Sequence, residues 1–377
     1  MAKKRRRAGK GEGSIIERKD GRLQIQISLE DGKRKTYYAK TREEAYEKLQ
    51  KAQQELRQGK MAIGPQQTVK QFFEDWLENV HRHKIRDNSY VLYRKLLDNH
   101  ILPALGHIKL QKLTTHHLDS LYARKLKDGY AAETVRAIHR LLHRALDDAV
   151  RWKRIPNNIC DDMKQPKAVK HEIHPLTKEQ AQMLIEVAKG TQLEVLITLA
   201  VTTAMRSGEL RGLKWQDIDL QKKTLSIQRT MYRISKKGVI AADPKTEKSK
   251  SVIMLPQLAI NVLVLQRERQ AELRMKAGQA WHENDLVFTN GIGKFLEAQH
   301  LQLKFKKLLK DADLPDIRFH DLRHSAATIL LSMGAHPKQV QELLRHSNIA
   351  MTMDRYSHVL PSMQRKMMDD LDDFFKQ

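Results

Sequence analysis

Between Leu23 and Leu29 the chain alternates strictly: Leu23, Ile25, Ile27 and Leu29 are apolar, while Gln24, Gln26 and Ser28 between them are polar. A period of two marks a strand with one buried face. Asp20-Gly21 and Asp31-Gly32 bracket it as hairpin turns, and Lys33 to Ala39 reads as a further strand. Thr41, with Glu44 three residues on, forms a capping box that opens a helix, and Gly59 closes it. The expected module is a three-stranded sheet backed by one helix. Its polar face carries Arg22, Gln24, Gln26, Lys33 and Lys35, side chains that suit a DNA groove. Any small α+β module shares that pattern.

Beyond Gly64-Pro65 the period becomes helical. Phe72, Phe73, Trp76, Leu77 and Val80 form one apolar stripe, and Tyr90 to Leu97 form part of another. Ile101-Leu-Pro-Ala-Leu-Gly106 is expected to break the chain, with helices resuming near Thr115 and Thr134. The last of these carries Arg136, His139, Arg140, His143 and Arg144. A DNA-facing helix is the preferred reading and a solvated face the plainer one; a zinc shared by His139 and His143 lacks a third ligand. Pro156-Asn-Asn and Gln165-Pro-Lys-Ala-Val-Lys make a second linker, and Thr177 caps the first helix of a mixed final segment. These breaks divide the chain into 1–64, 65–165 and 166–377. The fold class expected is multidomain and mainly α with a small amount of β.

Charge changes the picture. The 377 residues carry Lys+Arg 69 against Asp+Glu 45, a formal net charge of +24. Such an excess points to a polyanionic partner, nucleic acid or an anionic membrane surface. Residues 1–60 alone hold 18 Lys/Arg against 9 Asp/Glu. Lys3 to Arg7 reads as a nuclear address, an arm lying on phosphates or a solvated tail. No apolar stretch follows it to make a secretory signal, and the run Val195 to Val201 is far short of the roughly 20 residues a bilayer needs. A single cysteine, Cys160, excludes an internal disulfide and a Cys-rich zinc cluster, which fits a reducing cytoplasm. No phosphate loop of the form G-x-x-x-x-G-K-[ST], no G-x-G-x-x-G and no H-E-x-x-H occurs.

What remains is an ordered set in the last segment. Thr203-Ala-Met-Arg-Ser-Gly-Glu-Leu210 places Arg206 at a polar turn after an apolar helix, with Glu209 close enough to pair with a cation. Pro244-Lys-Thr246 lies between candidate strands Thr224–Thr230 and Ser251–Leu255, so Lys245 rides on a hairpin. Phe319-His-Asp-Leu-Arg-His-Ser325 puts His320 and Arg323 three apart, on one face if helical. His346 follows in Leu343-Leu-Arg-His-Ser-Asn348, and Tyr356 in Thr352-Met-Asp-Arg-Tyr-Ser-His358. Taken singly, each is more often a solvated cation, a structural ion pair or a core aromatic.

Taken in order, R-x-G-E-L, P-K-T, H-D-L-R-H and R-Y-S-H resemble the tyrosine recombinase (phage integrase) family over nearly the whole chain. The first segment is similar to the arm-type DNA-binding domain of integrases from temperate phages and conjugative elements. The middle is similar to their helical core-binding domain, and the last to their α+β catalytic domain. Two departures stand out: Ala204 where a glycine is common before Met-Arg, and Arg345 where L-G-H is commoner. Neither touches an expected catalytic side chain.

The resemblance implies a site-specific recombinase that cuts and rejoins DNA through a covalent 3′-phosphotyrosine. Arg206 and Arg323 would clamp the non-bridging phosphate oxygens, and His346 would add a hydrogen bond. Tyr356 would be the nucleophile, His320 the base or orienting group, Lys245 the acid for the leaving 5′-oxygen, and Glu209 a support for the first arginine. Arg136, His139 and Arg140 join the sheet residues as DNA-contact candidates. No metal or cofactor is expected. Expected partners are double-stranded arm-type and core-type attachment sites, three further copies in a tetramer, a DNA-bending accessory protein and a directionality factor, with no membrane. Met363, Met367, Leu371, Phe374 and Phe375 form a stripe, read as a helix docked on a neighbouring protomer or on its own domain. The rival readings are a type IB-like topoisomerase and a DNA-binding regulator on a recombinase scaffold.

Overall fold

A computed structural model describes residues 13–28, 34–57, 66–167, 174–234, 238–242, 251–346, 348–350 and the single positions 353, 368, 372 and 375. Two compact units divide the chain, Met1–Lys170 and His171–Gln377. The first unit holds separate apolar cores, one under a small sheet and one among helices.

β1 (Gly13–Glu17), β2 (Leu23–Ser28) and β3 (Arg34–Ala39) form an antiparallel sheet in the order β1-β2-β3. Gly21, at φ +75°, supplies the left-handed residue that the β1–β2 turn requires. Leu23, Ile25 and Ile27 pack with Ala45 and Ala52 of α1 (Arg42–Arg57), small residues that let helix and strand approach. Ile25 and Ile27 are 0 % exposed, and burying each contributes about 1.5–3 kcal/mol. The expected cap holds with a shift of one residue. Thr41 Oγ1 accepts from the Glu44 N–H at 3.2 Å, while the Glu44 carboxylate accepts from the Lys40 N–H at 2.9 Å. Gly59 lies outside the described residues.

In the helical part, α2 (Val69–Asp75) continues through a π-type turn, Trp76–His81. Phe72, Phe73, Trp76 and Leu77 from the apolar stripe are all buried. The Trp76 indole N–H donates to Asp148 at 2.7 Å, which satisfies the polar edge of an otherwise apolar core. α3 (Asp87–Leu96) also runs on through a π-type turn, Leu97–Ile101, into α4 (Leu102–Leu105). The break expected at Ile101 is therefore delayed to Gly106. The widened turn ahead of Pro103 accommodates its ring and missing N–H. α5 (Thr115–Lys127) and α6 (Ala132–Arg151) complete this core.

In the second unit, α7 (Lys178–Ala188) starts from Thr177, whose Oγ1 accepts from the Gln180 N–H at 3.2 Å. α8 (Glu194–Thr203) is buried over most of its length and lies at the centre of the unit's core. Around it pack α7, α10 (Gln257–Ala277) and α12 (Leu322–Ser332), with α11 (Ala298–Asp311) adding Leu301, Phe305 and Leu309 to the same core. α9 (Ser207–Arg211) and α13 (Pro337–Leu344) are short. β4 (Ile218–Asp219), β5 (Thr224–Ile227) and β8 (Ser251–Met254) form a sheet in that order. The strand expected over Thr224–Thr230 is in fact two: β5 ends at Ile227, and β6 (Thr230–Ile234) pairs instead with β7 (Gly238–Ala242). Among the described residues, no helix is long and apolar enough to cross a membrane.

Candidate active site

Arg206 owes its position to the end of α8. Ala204 closes that helix in the left-handed conformation, φ 51°, and Arg206 becomes the N-cap of α9. Gly208 is needed where α9 meets β6, because a Cβ there would sit 2.5 Å from Thr230 Oγ1. Glu209 then folds back: its carboxylate accepts from the Arg206 backbone N–H at 2.9 Å and from Arg206 Nη1 at 2.7 Å. A second guanidinium arrives from 136 residues away. Arg345, left-handed at φ 52° after α13, donates Nη2 to Glu209 Oε2 at 2.8 Å. Burial works to raise the Glu209 pKa, but Arg345 and then Arg206 outweigh it and hold the carboxyl below its usual range.

Arg323 links the same turns through the backbone. Buried in the first turn of α12, it donates Nη1 to the Ala204 carbonyl at 2.6 Å and Nη2 to the Leu344 carbonyl. The two departures from the family pattern, Ala204 and Arg345, thus occupy the two left-handed turns that surround the arginines. Each touches an expected catalytic side chain or its support, contrary to what the sequence suggested. His346 follows Arg345 directly. Its N–H donates to the Gln341 carbonyl at 3.1 Å, and its own carbonyl accepts from Gln341 Nε2 at 3.0 Å.

His320 is not on a helix face shared with Arg323. It sits in a 3-10 turn, Phe319–Asp321, ahead of α12. Arg318 clamps that turn by donating Nε and Nη2 to Asp321 at 3.0 and 2.8 Å. His320 keeps an exposed edge, yet partial loss of hydration pushes its imidazole below the usual range, and Arg323, Arg318 and Arg206 push the same way against Asp321. Neutral His320 beside a cluster of permanent cations is suited to accept a proton. Arg206, Glu209, Arg323 and the backbone leading into His346 are therefore brought together. Lys245 and Tyr356 lie outside the described residues, as does Lys33.

The DNA-contact candidates divide. On the sheet, Gln24 faces Tyr38 and Gln26 faces Thr36 in register, with Ser14 and Ile16 of β1 on the same open side. Arg22 is exposed beside them. Lys35 is a correction: it pairs with Ile27, so its side chain leaves the sheet on the face toward α1, and its Nζ lies 5.7 Å from the Tyr37 ring centre. Strand parity puts Arg34, Thr36 and Tyr38 on the open face instead.

On α6, His139 is a second correction. It is buried, with Nδ1 3.1 Å from the Tyr122 hydroxyl, so it belongs to the core and not to a groove. Arg136 and Arg140 both reach Glu133, at 3.5 and 2.9 Å. His143 lies between Asp147 and Asp161, its two ring nitrogens 3.1 and 2.9 Å from their oxygens. Among the described residues those three are close enough to share a metal, yet each ring nitrogen already lies within hydrogen-bond distance of a carboxylate, which reads as a polar clasp between α6 and the segment after it.

Comparison with known proteins adds an independent line. The sequence profile described as "Phage integrase family" matches residues 174–363, and "Phage integrase, N-terminal SAM-like domain" matches residues 68–126. A "Tyrosine recombinase XerC-like" protein of Caldanaerobacter subterraneus subsp. tengcongensis is 31 % identical over 366 residues, covering 92 % of this chain and 94 % of its own. An "Integrase" of Saccharopolyspora erythraea is 25 % identical, covering 100 % of this chain and 99 % of its own. Among solved structures, the Tn1549 transposon integrase in complex with transposon right end DNA has the same fold. Its TM-score is 0.70 at 21 % identity, over 81 % of this chain and 99 % of that one.

Proposed function

This chain belongs to the phage integrase family of tyrosine recombinases, and from that premise we propose how it cuts and rejoins DNA to integrate or excise a mobile element. The observation that carries the reading is the convergence of two arginines. Arg206 and Arg323 come from positions 117 apart in the chain; Ala204, whose carbonyl Arg323 holds, lies two residues before Arg206.

A phosphodiester under attack gathers charge on its non-bridging oxygens. Guanidiniums at Arg206 and Arg323 neutralise it with donors that stay protonated at any working pH. Tyr356 attacks phosphorus in line. The P–O5′ bond breaks as the P–O(Tyr) bond forms, leaving a 3′-phosphotyrosine and a free 5′-hydroxyl. The phenol proton passes to His320, which is neutral in this environment, and Lys245 donates a proton to the departing 5′-oxygen. His346 donates a hydrogen bond to the same phosphate. Because the phosphodiester energy is kept in the covalent link, a second 5′-hydroxyl rejoins the strand without a nucleotide cofactor.

In this reading residues 1–64 grip arm-type sites through the open sheet face and residues 65–165 grip core-type sites. Residues 166–377 carry the chemistry, four protomers act on two DNA sites, and bending and directionality proteins assist. The working compartment is the bacterial cytoplasm, at the nucleoid. The test is strand exchange in chelator between duplexes spanning the element's ends and its target. Wild type should form recombinants; Tyr356→Phe should bind the same duplexes and form none. Binding without exchange by wild type, with a bending protein supplied, would make the chain a regulator on a recombinase scaffold. Relaxation of supercoils without exchange would make it a topoisomerase.

A further inference from the structure

We propose that Arg345 is a positioning residue for strand cleavage: its guanidinium holds the Glu209 carboxylate at Oε2, the oxygen that also accepts the Arg206 backbone N–H, so that Arg206 is presented to the phosphate in one orientation. The inference rests on the recombinase reading above and extends it to a residue outside the family's expected catalytic set.

Three features carry it. The first is geometry. Glu209 Oε2 accepts from two donors, the Arg206 backbone N–H at 2.9 Å and Arg345 Nη2 at 2.8 Å, while Oε1 accepts Arg206 Nη1 at 2.7 Å. Three donors on two oxygens leave the carboxylate plane no freedom to turn. Without Arg345, both remaining donors belong to Arg206 itself, and carboxylate and arginine can swing together.

The second feature is cost. Position 345 is left-handed at φ 52°, a conformation glycine takes without strain and arginine does not. The side chain is also withdrawn from water, 2 % exposed against 4 % for Glu209, and its Nε has no hydrogen-bond partner among the described residues. Backbone strain, a desolvated cation and an unmet donor are all unfavourable. The Glu209 contact, with Nη1 on the Leu343 carbonyl at 2.9 Å, is what offsets them.

The third feature is place. Arg345 sits between Leu344, whose carbonyl takes an Arg323 N–H, and His346. One turn therefore ties both phosphate-clamping arginines together: Arg323 through the backbone at 344, and Arg206 through the side chain at 345 by way of Glu209. A burial-driven scaffold does not require that wiring. A device that sets two guanidiniums in register with a histidine does.

The experiment is single-turnover cleavage of a nicked duplex at saturating DNA, measured as covalent adduct, with apparent Kd and Tm taken on the same proteins. The set is wild type, Arg345→Met, Arg345→Gly, Arg345→Lys, Glu209→Gln and the Arg345→Met/Glu209→Gln pair. Expected for Arg345→Met and Arg345→Gly is cleavage slower by about 10- to 100-fold, the scale of a small misplacement of a reacting group. Apparent Kd should stay within about twofold, so the loss falls on the chemical step. Arg345→Lys, which keeps the charge without the fork, should recover part of the rate and serves as the readout if Arg345→Met does not fold. In the Glu209→Gln background, removing Arg345 should add little, because both act through one carboxylate.

Wild-type rates in both Arg345→Met and Arg345→Gly overturn the proposal. So does a full additional loss in the Glu209→Gln background, or a loss confined to Tm and Kd. Absence of any adduct from wild type on duplexes it binds is a different failure: it removes the recombinase reading and this inference together.

Discussion

The open face of the amino-terminal sheet and the arginine cluster of the second unit both present polar groups proposed to meet DNA, and they are built in opposite ways. On the sheet, Tyr38 is 48 % exposed and Ile16 likewise 48 %, with Arg34 donating to Gln26 at 3.4 Å. Contacts on this face are between near neighbours, Arg34 with Gln26 and Arg18 5.7 Å from the Tyr38 ring centre, above a core that lies on the other side. In the cluster, Arg323 and Arg345 are 3 % and 9 % exposed, and each donates to a carbonyl or carboxylate of a remote segment. A surface of independent groups suits affinity, where small contributions add. A buried network suits chemistry, where one lost contact shifts the others.

That difference is open to attack at its strongest point first. Arg323→Lys keeps a charge but cannot span the carbonyls of Ala204 and Leu344 at once. Single-turnover cleavage should fall by about 10²- to 10³-fold, the range for loss of a phosphate-stabilising donor, while binding to arm-type DNA stays at the wild-type level. A loss of under tenfold would mean the cluster is no more coupled than the sheet. Next comes Tyr38→Ala, expected to weaken arm-type binding by about 10-fold, as for an aromatic anchor, with Tm unchanged and cleavage of core-type DNA intact. Lys35→Ser is its control and should leave that affinity unaltered, since Lys35 leaves the other face; equal losses at the two positions would break the assignment of faces.

The smallest expected effect is in pH. The His320 imidazole titrates below its ordinary 6.5, first because it is desolvated and then because Arg323 repels its proton, with Arg318 and Arg206 adding to this and Asp321 opposing it. Cleavage should therefore hold its rate as pH falls through 6.5 and decline only below it. The sign for stability is the same. The unfolded chain takes up that proton more readily, so the contribution of neutral His320 is present above 6.5 and is lost as pH falls toward the folded value. An acid limb centred above 6.5 in the cleavage profile would contradict the environment assigned to His320.

Much of the sheet was legible in the sequence because alternation and turn residues act locally. The three strands, Gly21 and the Thr41 cap all follow from neighbours within a few residues. Charge alone puts Lys35 among the groove-facing groups, but parity decides: an odd-numbered residue on β3 shares the face of Tyr37 and Ala39. His139 is misplaced by sequence for a related reason. The basic spacing along α6 is real, but Ile138, Leu141 and Leu142 are buried as well, and the pattern alone does not say where the apolar arc ends. In the second unit, residue types in order pointed to the chemistry, and in the fold Glu209 pairs with Arg206 while Arg323 holds the carbonyl of Ala204, two residues before Arg206. The role of Arg345 was not legible. Its partner lies 136 positions earlier, and its left-handed backbone shows only in the folded chain. The division of Thr224–Thr230 into two strands likewise depends on pairing with β7 and β8, which no local pattern encodes.

The central proposal, that Tyr356 becomes joined to DNA, is tested most directly by mapping the covalent link. Wild-type protein is incubated in chelator with nicked duplexes carrying a site it binds, and the adduct is digested with trypsin and nuclease and analysed by mass spectrometry. The account predicts a nucleotide-phosphate addition on the peptide Tyr356 to Arg365, on the tyrosine, absent from Tyr356→Phe. A phosphate link on any other residue, or no link on DNA that is bound with any required bending protein present, would contradict it.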